Sequence, residues 1–183
     1  MDAPIRTIGH SSRTLEEFLA LLRTHSIELV VDVRRLPGSN RHPQFNEDSL
    51  RDSLAGAGIE LHRSPGLTGR RSRDHGVPDE VNQWWQHRSF HNYADHALGD
   101  GFADALAELR RSARSRQVAL MCSEAVWWRC HRRIIADHLL AHGDRVLHVI
   151  DDRDVQPAQL SEGAVVGADH RVTYPAREDV GVQ

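Results

Sequence analysis

"IELVVDVR" (residues 27–34) decides the fold. Its apolar residues run almost without a break, and they are largely β-branched. A strand exposed on one face would alternate apolar with polar positions; a strand covered on both faces need not. The segment therefore predicts an inner strand of a parallel sheet. It ends on charge, at Asp32, Arg34 and Arg35. Further strands are read in "IRTIGHS" (5–11), which ends in a turn, "IELHR" (59–63), "QVALMC" (117–122) and "RVLHVI" (145–150). Helical patterns separate these runs. Thr14 with Glu17 forms a capping box ahead of a helix that places Leu15, Phe18, Leu19 and Leu22 on one face. "NEDSLRDSLAGAG" (46–58) is a helix closed by glycines, and "GFADALAELRRSA" (101–113) is amphipathic. A further helix spans 127–142 and stops at Gly143, with His131, Ile134, Ile135, His138 and Leu139 on one face. Strands alternating with helices give an α/β fold: a three-layer sandwich with a mostly parallel central sheet flanked by helices.

Length and composition set the frame. One domain over 1–183 is expected, with a core over 5–150. The segment 64–98 is irregular and lid-like, and 151–183 is a polar C-terminal arm in which 164–174 forms a hairpin or traces the surface. With 39% hydrophobic and 27% charged residues, the chain is globular and not disordered. No apolar run nears the roughly 18 residues of a membrane span, so no membrane partner is expected. "MDAPIRTIGH" lacks a secretory leader and two cysteines make no disulfide framework, so a cytoplasmic location is expected. A net charge of −3 disfavours bulk attraction to nucleic acid but leaves room for a local basic patch.

In an open parallel sheet, ligands sit beyond the carboxyl ends of the strands. The residues at those ends are His10 and Ser11, Asp32 to Arg35, His62 and Arg63, and Cys122 to Glu124. The second thiol lies in "MCSEAVWWRCHRR" (121–133), where Arg129, His131, Arg132 and Arg133 surround Cys130. Thiolates and anions are both favoured by a helix start and by guanidinium donors. Cys122, Glu124, Cys130 and His131 are therefore the catalytic candidates. His10, Ser11, Asp32, Arg34, Arg35 and Arg132 are the ligand-binding candidates.

Either cysteine suits a nucleophile, and Glu124 or His131 suits proton transfer. Each also has an ordinary structural role: Cys122 as a small apolar filler, Asp32 as an ion-pair partner of Arg34, Arg35 or Arg132. Cys122, Cys130, His131 and His10 offer soft metal ligands, but their spacing matches no compact zinc pattern, so no metal is expected. Six residues between Cys122 and Arg129 exclude a phosphatase-type Cys-x5-Arg loop. The cofactor is left unknown by the sequence.

These segments also carry a family resemblance. "TIGHS" (7–11), "DVRRLPGS" (32–39), Leu67–Gly69–Arg70, "YADH" (93–96) and "MCSEAVWWRCHRRIIADHL" (121–139) resemble the domain of unknown function 488 family. Its most specific block maps onto Cys122, Glu124, Cys130, His131 and Arg132. The resemblance implies a compact bacterial-type α/β domain with a shared polar rim.

The leading expectation is an enzyme, a thiol-dependent hydrolase, lyase or transferase. Its ligand would be phosphate-containing or otherwise anionic, a nucleotide or a nucleic-acid base. Two rivals stand beside it. One is a nucleic-acid-binding module within 70–93, using Arg70, Arg71, Arg73, Trp84, Trp85 and Arg88, whose aromatics otherwise fold down as a lid. The other is a redox-responsive scaffold in which Cys122 and Cys130 form a reversible disulfide.

Overall fold

A computed structural model describes residues 3–176. Five parallel strands, β1 (Ile5–Gly9), β2 (Leu29–Asp32), β3 (Glu60–Arg63), β4 (Val118–Cys122) and β5 (Val146–Val149), stand in the order β3-β2-β4-β1-β5. A sixth, β6 (Val155–Pro157), joins β5 antiparallel and closes that edge. The sheet is thus mostly parallel and flanked by helices on both faces.

Side-chain alternation assigns each strand residue to a layer. Val30, Ala119, Met121, Ile8 and Val149 pack on one face with Phe18, Leu21 and Leu22 of α1 (Leu15–Thr24) and Leu50 and Leu54 of α2 (Glu47–Gly56). Leu29, Val31, Val118, Leu120, Cys122 and Val146 face the other way. There they meet α3 (Arg88–His96), α4 (Asp100–Ala113) and α5 (Arg132–Ala141). The expected capping box begins α1: the Glu17 amide donates to Thr14 Oγ1 at 3.1 Å, and the Thr14 amide donates to Glu17 Oε2 at 2.8 Å.

Two expectations need correction. The helix expected over 127–142 is broken. Trp127–Arg129 is a 3-10 turn, Cys130 is extended, His131 is the N-cap, and α5 starts at Arg132. The cause lies in Trp127, whose ring stacks on His148 with centroids 4.2 Å apart and donates to Gln156. That anchor holds the turn over β5 while Cys130 points inward. Second, apolar packing does not stop at residue 150. In the arm, β7 (Val165–Val166) and β8 (Val172–Thr173) form a small hairpin. Val172 and Tyr174 are fully buried, and the Tyr174 hydroxyl donates to Asp137 on α5 at 2.7 Å. Residues 177–183 of the expected arm lie outside the described residues. Among the described residues, no helix is long and apolar enough to cross a membrane.

The strand order places the site. From β1 the chain crosses through α1 to β2 and on to β3. From β4 it crosses in the opposite direction through α5 to β5. The loops leaving neighbouring β1 and β4 therefore part to opposite faces, which opens a crevice between their carboxyl ends.

Candidate functional site

A cleft of about 400 Å³ lies at that crevice. β1 contributes His10, the chain after β2 contributes Arg34 and Arg35, and β4 contributes Cys122 and then Ser123 and Glu124. Cys130 and His131 enter from the turn before α5. All of these were expected from the sequence.

The strand-end loops can meet because Gly9 has no side chain. Gly9 pairs in register with Cys122, and a Cβ on it would overlap the Glu124 carbonyl oxygen. The His10 amide donates to the Cys122 carbonyl at 2.8 Å, and the Ser11 amide donates to the Ser123 carbonyl at 3.1 Å.

Two thiols form the floor. Both are free and buried. Hydrogen bonding with Cys130, together with burial, puts the Cys122 pKa well above the ordinary thiol value. Burial alone would raise Cys130 as well. The hydrogen bond with Cys122 and the charge of Arg132 outweigh that and lower it to about 6. Arg132 Nε donates to Cys130 Sγ at 3.3 Å, and its Nη2 donates to the Glu124 carbonyl at 2.6 Å. The pair thus divides its roles: one sulfur holds a proton, and the other carries charge near neutral pH.

His131 is fixed from three sides. Its Nε2–H donates to the Val33 carbonyl at 3.0 Å, which leaves Nδ1 facing Cys130 Sγ at 3.6 Å. Tyr93 packs on the ring, with centroids 4.9 Å apart, and donates its hydroxyl to the Leu67 carbonyl. On the remaining side stands Gly69, where a Cβ would lie 2.7 Å from Nδ1. Burial lowers the His131 pKa.

The second wall is built on a buried ion pair. Asp32 binds Arg34 through both carboxylate oxygens, the shortest contact being 2.7 Å. Arg34 Nη1 also donates to the Phe45 carbonyl at 2.8 Å and lies 3.3 Å from His10 Nε2. His10 stacks on Phe45, and its Nδ1 meets the Ser11 carbonyl at 2.9 Å. Burial brings His10 down to about 4, so it is neutral near pH 7, with Nδ1 the donor and Nε2 the acceptor.

Three expected ligand-binding residues stand behind the cleft instead of in it. Ser11 contributes backbone bonds, Asp32 is fully buried and spent on Arg34, and Arg132 is buried beneath Cys130. Arg133, from the same cluster, turns away to Ser161 and the Trp84 and Trp85 rings. His62 and Arg63, at the end of β3, do not line the cleft.

The mouth is cationic. Arg35, Arg70 and Arg129 are exposed and line it beside the Ser39, Ser89 and Ser123 side chains, with Leu36 and Phe90 as apolar wall. Among the described residues, Glu124 is the one acid lining it. Sequence reasoning missed Ser39, His42, Gly69 and Tyr93 as parts of this site. The segments Leu67–Gly69–Arg70 and "YADH" held a signal for two of them.

In the basic-aromatic segment, Arg70 and Arg88 are exposed, whereas other members are engaged internally. Arg71 is tied to Thr68 and Pro65, Arg73 to Asp79, and Trp85 is buried between Phe90, Trp84 and Tyr174. Its aromatics Trp84, Trp85 and Phe90 pack against the core.

Fold and site together define an α/β protein with a thiol-floored, arginine-rimmed cleft at the carboxyl ends of its strands. Over residues 14–139 the chain matches the family model described as Domain of unknown function DUF488, and it belongs to that family. The match includes the stretch from Asp32 through Arg132 but begins after His10 and Ser11. No curated protein and no solved structure matched the chain.

Proposed function

We propose that the chain is an enzyme acting on a phosphate-bearing anionic substrate, a nucleotide included, with Cys130 as the nucleophile. The observation that carries this reading is one juxtaposition. The Cys130 sulfur lies beside the Cys122 sulfur and accepts a hydrogen bond from Arg132 at 3.3 Å at the floor of a cleft, and Arg35, Arg70 and Arg129 line its mouth.

Guanidinium groups bind phosphate oxygens as forks, so the mouth would hold the anion while its reacting centre descends to the sulfur. The two inner cations have other duties. Arg34 is engaged by Asp32, Phe45 and His10, and it sets the wall. Arg132 steadies the sulfur from below. His131 Nδ1, at 3.6 Å, and the Glu124 carboxylate are the groups placed to carry protons.

The test has two stages. Phosphate monoesters and nucleotides are screened for a rise in melting temperature, since a ligand of the folded state stabilises it by mass action. Turnover of each hit is then measured with wild type and Cys130→Ser. Loss of turnover in a variant that keeps its melting temperature supports the nucleophile. Unchanged turnover removes it.

A further inference from the structure

We propose that Cys122, Cys130 and His131 form a three-ligand site for a zinc-class divalent cation, with the fourth coordination position facing the cleft. Their donor atoms all lie within 4.8 Å of one another. Zinc–sulfur bonds of about 2.3 Å and zinc–nitrogen bonds of about 2.0–2.1 Å at tetrahedral angles set a sulfur and a nitrogen about 3.6 Å apart. Cys130 Sγ and His131 Nδ1 stand 3.6 Å apart.

The outer contacts match as well. A ligating histidine needs its other ring nitrogen held by an acceptor, which fixes the tautomer and aims the lone pair. His131 Nε2–H donates to the Val33 carbonyl, so Nδ1 presents its lone pair toward Cys130. Arg132 Nε, on Cys130, is an outer donor to a ligating sulfur. Gly69 keeps the side of Nδ1 clear, where a Cβ would stand 2.7 Å away. Two sulfurs and an imidazole select zinc and similar ions over magnesium or calcium. All three residues line the cleft, so a water or a substrate oxygen can reach a fourth position. The sequence offered these three residues as soft ligands but in no compact zinc spacing, because eight positions separate the cysteines and the histidine directly follows the second. Only the break before α5 turns Cys130 and His131 back toward Cys122.

The consequence, though not the site, rests on the function proposed above. A bound ion takes the Cys130 sulfur and His131 Nδ1, so the loaded protein has no thiol nucleophile and the ion acts as a reversible inhibitor.

The experiment uses full-length protein without a histidine tag, held reduced by a phosphine. Zinc uptake is measured against a chromophoric chelator, and cobalt is used as a spectroscopic probe. One ion per chain is expected, with thiolate-to-cobalt charge-transfer absorption that reports sulfur ligation directly. Cys122→Ser, Cys130→Ser and His131→Ala should each cost at least the roughly 10- to 100-fold in affinity that loss of an outer-shell partner costs. His62→Ala, at an exposed histidine facing Glu108, should cost nothing. Absence of uptake by wild type with both thiols titrating as reduced would overturn the proposal. So would a loss in His62→Ala equal to that in His131→Ala, or a cobalt spectrum without thiolate bands. Stabilisation of chelator-treated protein by inorganic phosphate is read in parallel. It does not use the thiols or His131, so failure of the metal site and failure of the anion site are separately visible.

Discussion

Arg34 joins the stability of this protein to its site. It is buried with Asp32, and between them they hold the His10 ring and the Phe45 carbonyl. Removing one partner of such a pair leaves the other charged and dehydrated, which costs about 3–5 kcal/mol. Arg34→Met is therefore expected to lower unfolding free energy by about that amount, read from urea midpoints at constant slope. A change under 1 kcal/mol would mean that water reaches Asp32. Arg35 sits one residue on, is exposed, and lines the cleft mouth. Arg35→Ala should leave stability within about 0.5 kcal/mol, as for most surface changes, while weakening phosphate binding. The same contrast explains what could be read ahead of the structure. Residue type and strand position named His10, Arg34, Arg35, Cys122, Glu124, Cys130 and His131. They could not separate Arg34 and Arg132, spent on internal partners, from Arg35 and Arg129 at the mouth, because all four look alike in one dimension.

At the scale of elements, the near-continuous apolar run at 27–34 revealed an inner strand, since burial on both faces demands it, and the alternation of strand and helix patterns revealed the sheet. Turn and cap chemistry revealed α1. Less was visible where tertiary contacts overrule local preference. The stretch 127–131 reads as helix, yet stacking of Trp127 on His148 and the inward pull of Cys130 make it a turn and an extended residue. The lid was seen as aromatic, but its delivery of Gly69 and Tyr93 to His131 depends on contacts across more than thirty residues. Close approach of β1 to the loop after β4 is the element-level requirement of the site. Gly9→Ala forces the Glu124 carbonyl away, and overpacking of that kind costs about 1–3 kcal/mol. Thermal unfolding should show the loss, and phosphate should no longer stabilise the variant. Wild-type behaviour in both assays would show that the loop position is immaterial. Thr14→Ala, which breaks the α1 capping box on the opposite layer, should cost about 1 kcal/mol and leave phosphate stabilisation intact.

For the whole molecule, buried histidines set the response to acid. Burial brings His138 and His148 down to about 3, against 6.5 for an unperturbed imidazole. Their folded-state pKa lies below the unfolded one. Below pH 6.5 the unfolded chain therefore takes up protons that the folded chain refuses, and stability falls until the pH nears 3. Between pH 7 and pH 5 each contributes about 2 kcal/mol of that loss. His138→Leu should shrink the difference between the two urea midpoints accordingly. The substitution breaks no bond at Nε2, which is buried without a partner. An unchanged difference would mean that His138 takes up its proton in the folded state as readily as in the unfolded one.

The central claim is that strand ends distant in sequence converge on a single anion-binding cleft above the thiols. Calorimetric titration of a phosphate monoester into wild type and into Arg35→Ala/Arg70→Ala/Arg129→Ala tests it most directly. Charge-assisted hydrogen bonds are worth about 1.5–3 kcal/mol each, so binding by wild type and a loss of at least a hundredfold in the triple variant are expected. Equal affinities in the two proteins, or no binding by wild type to any phosphate monoester, would contradict it.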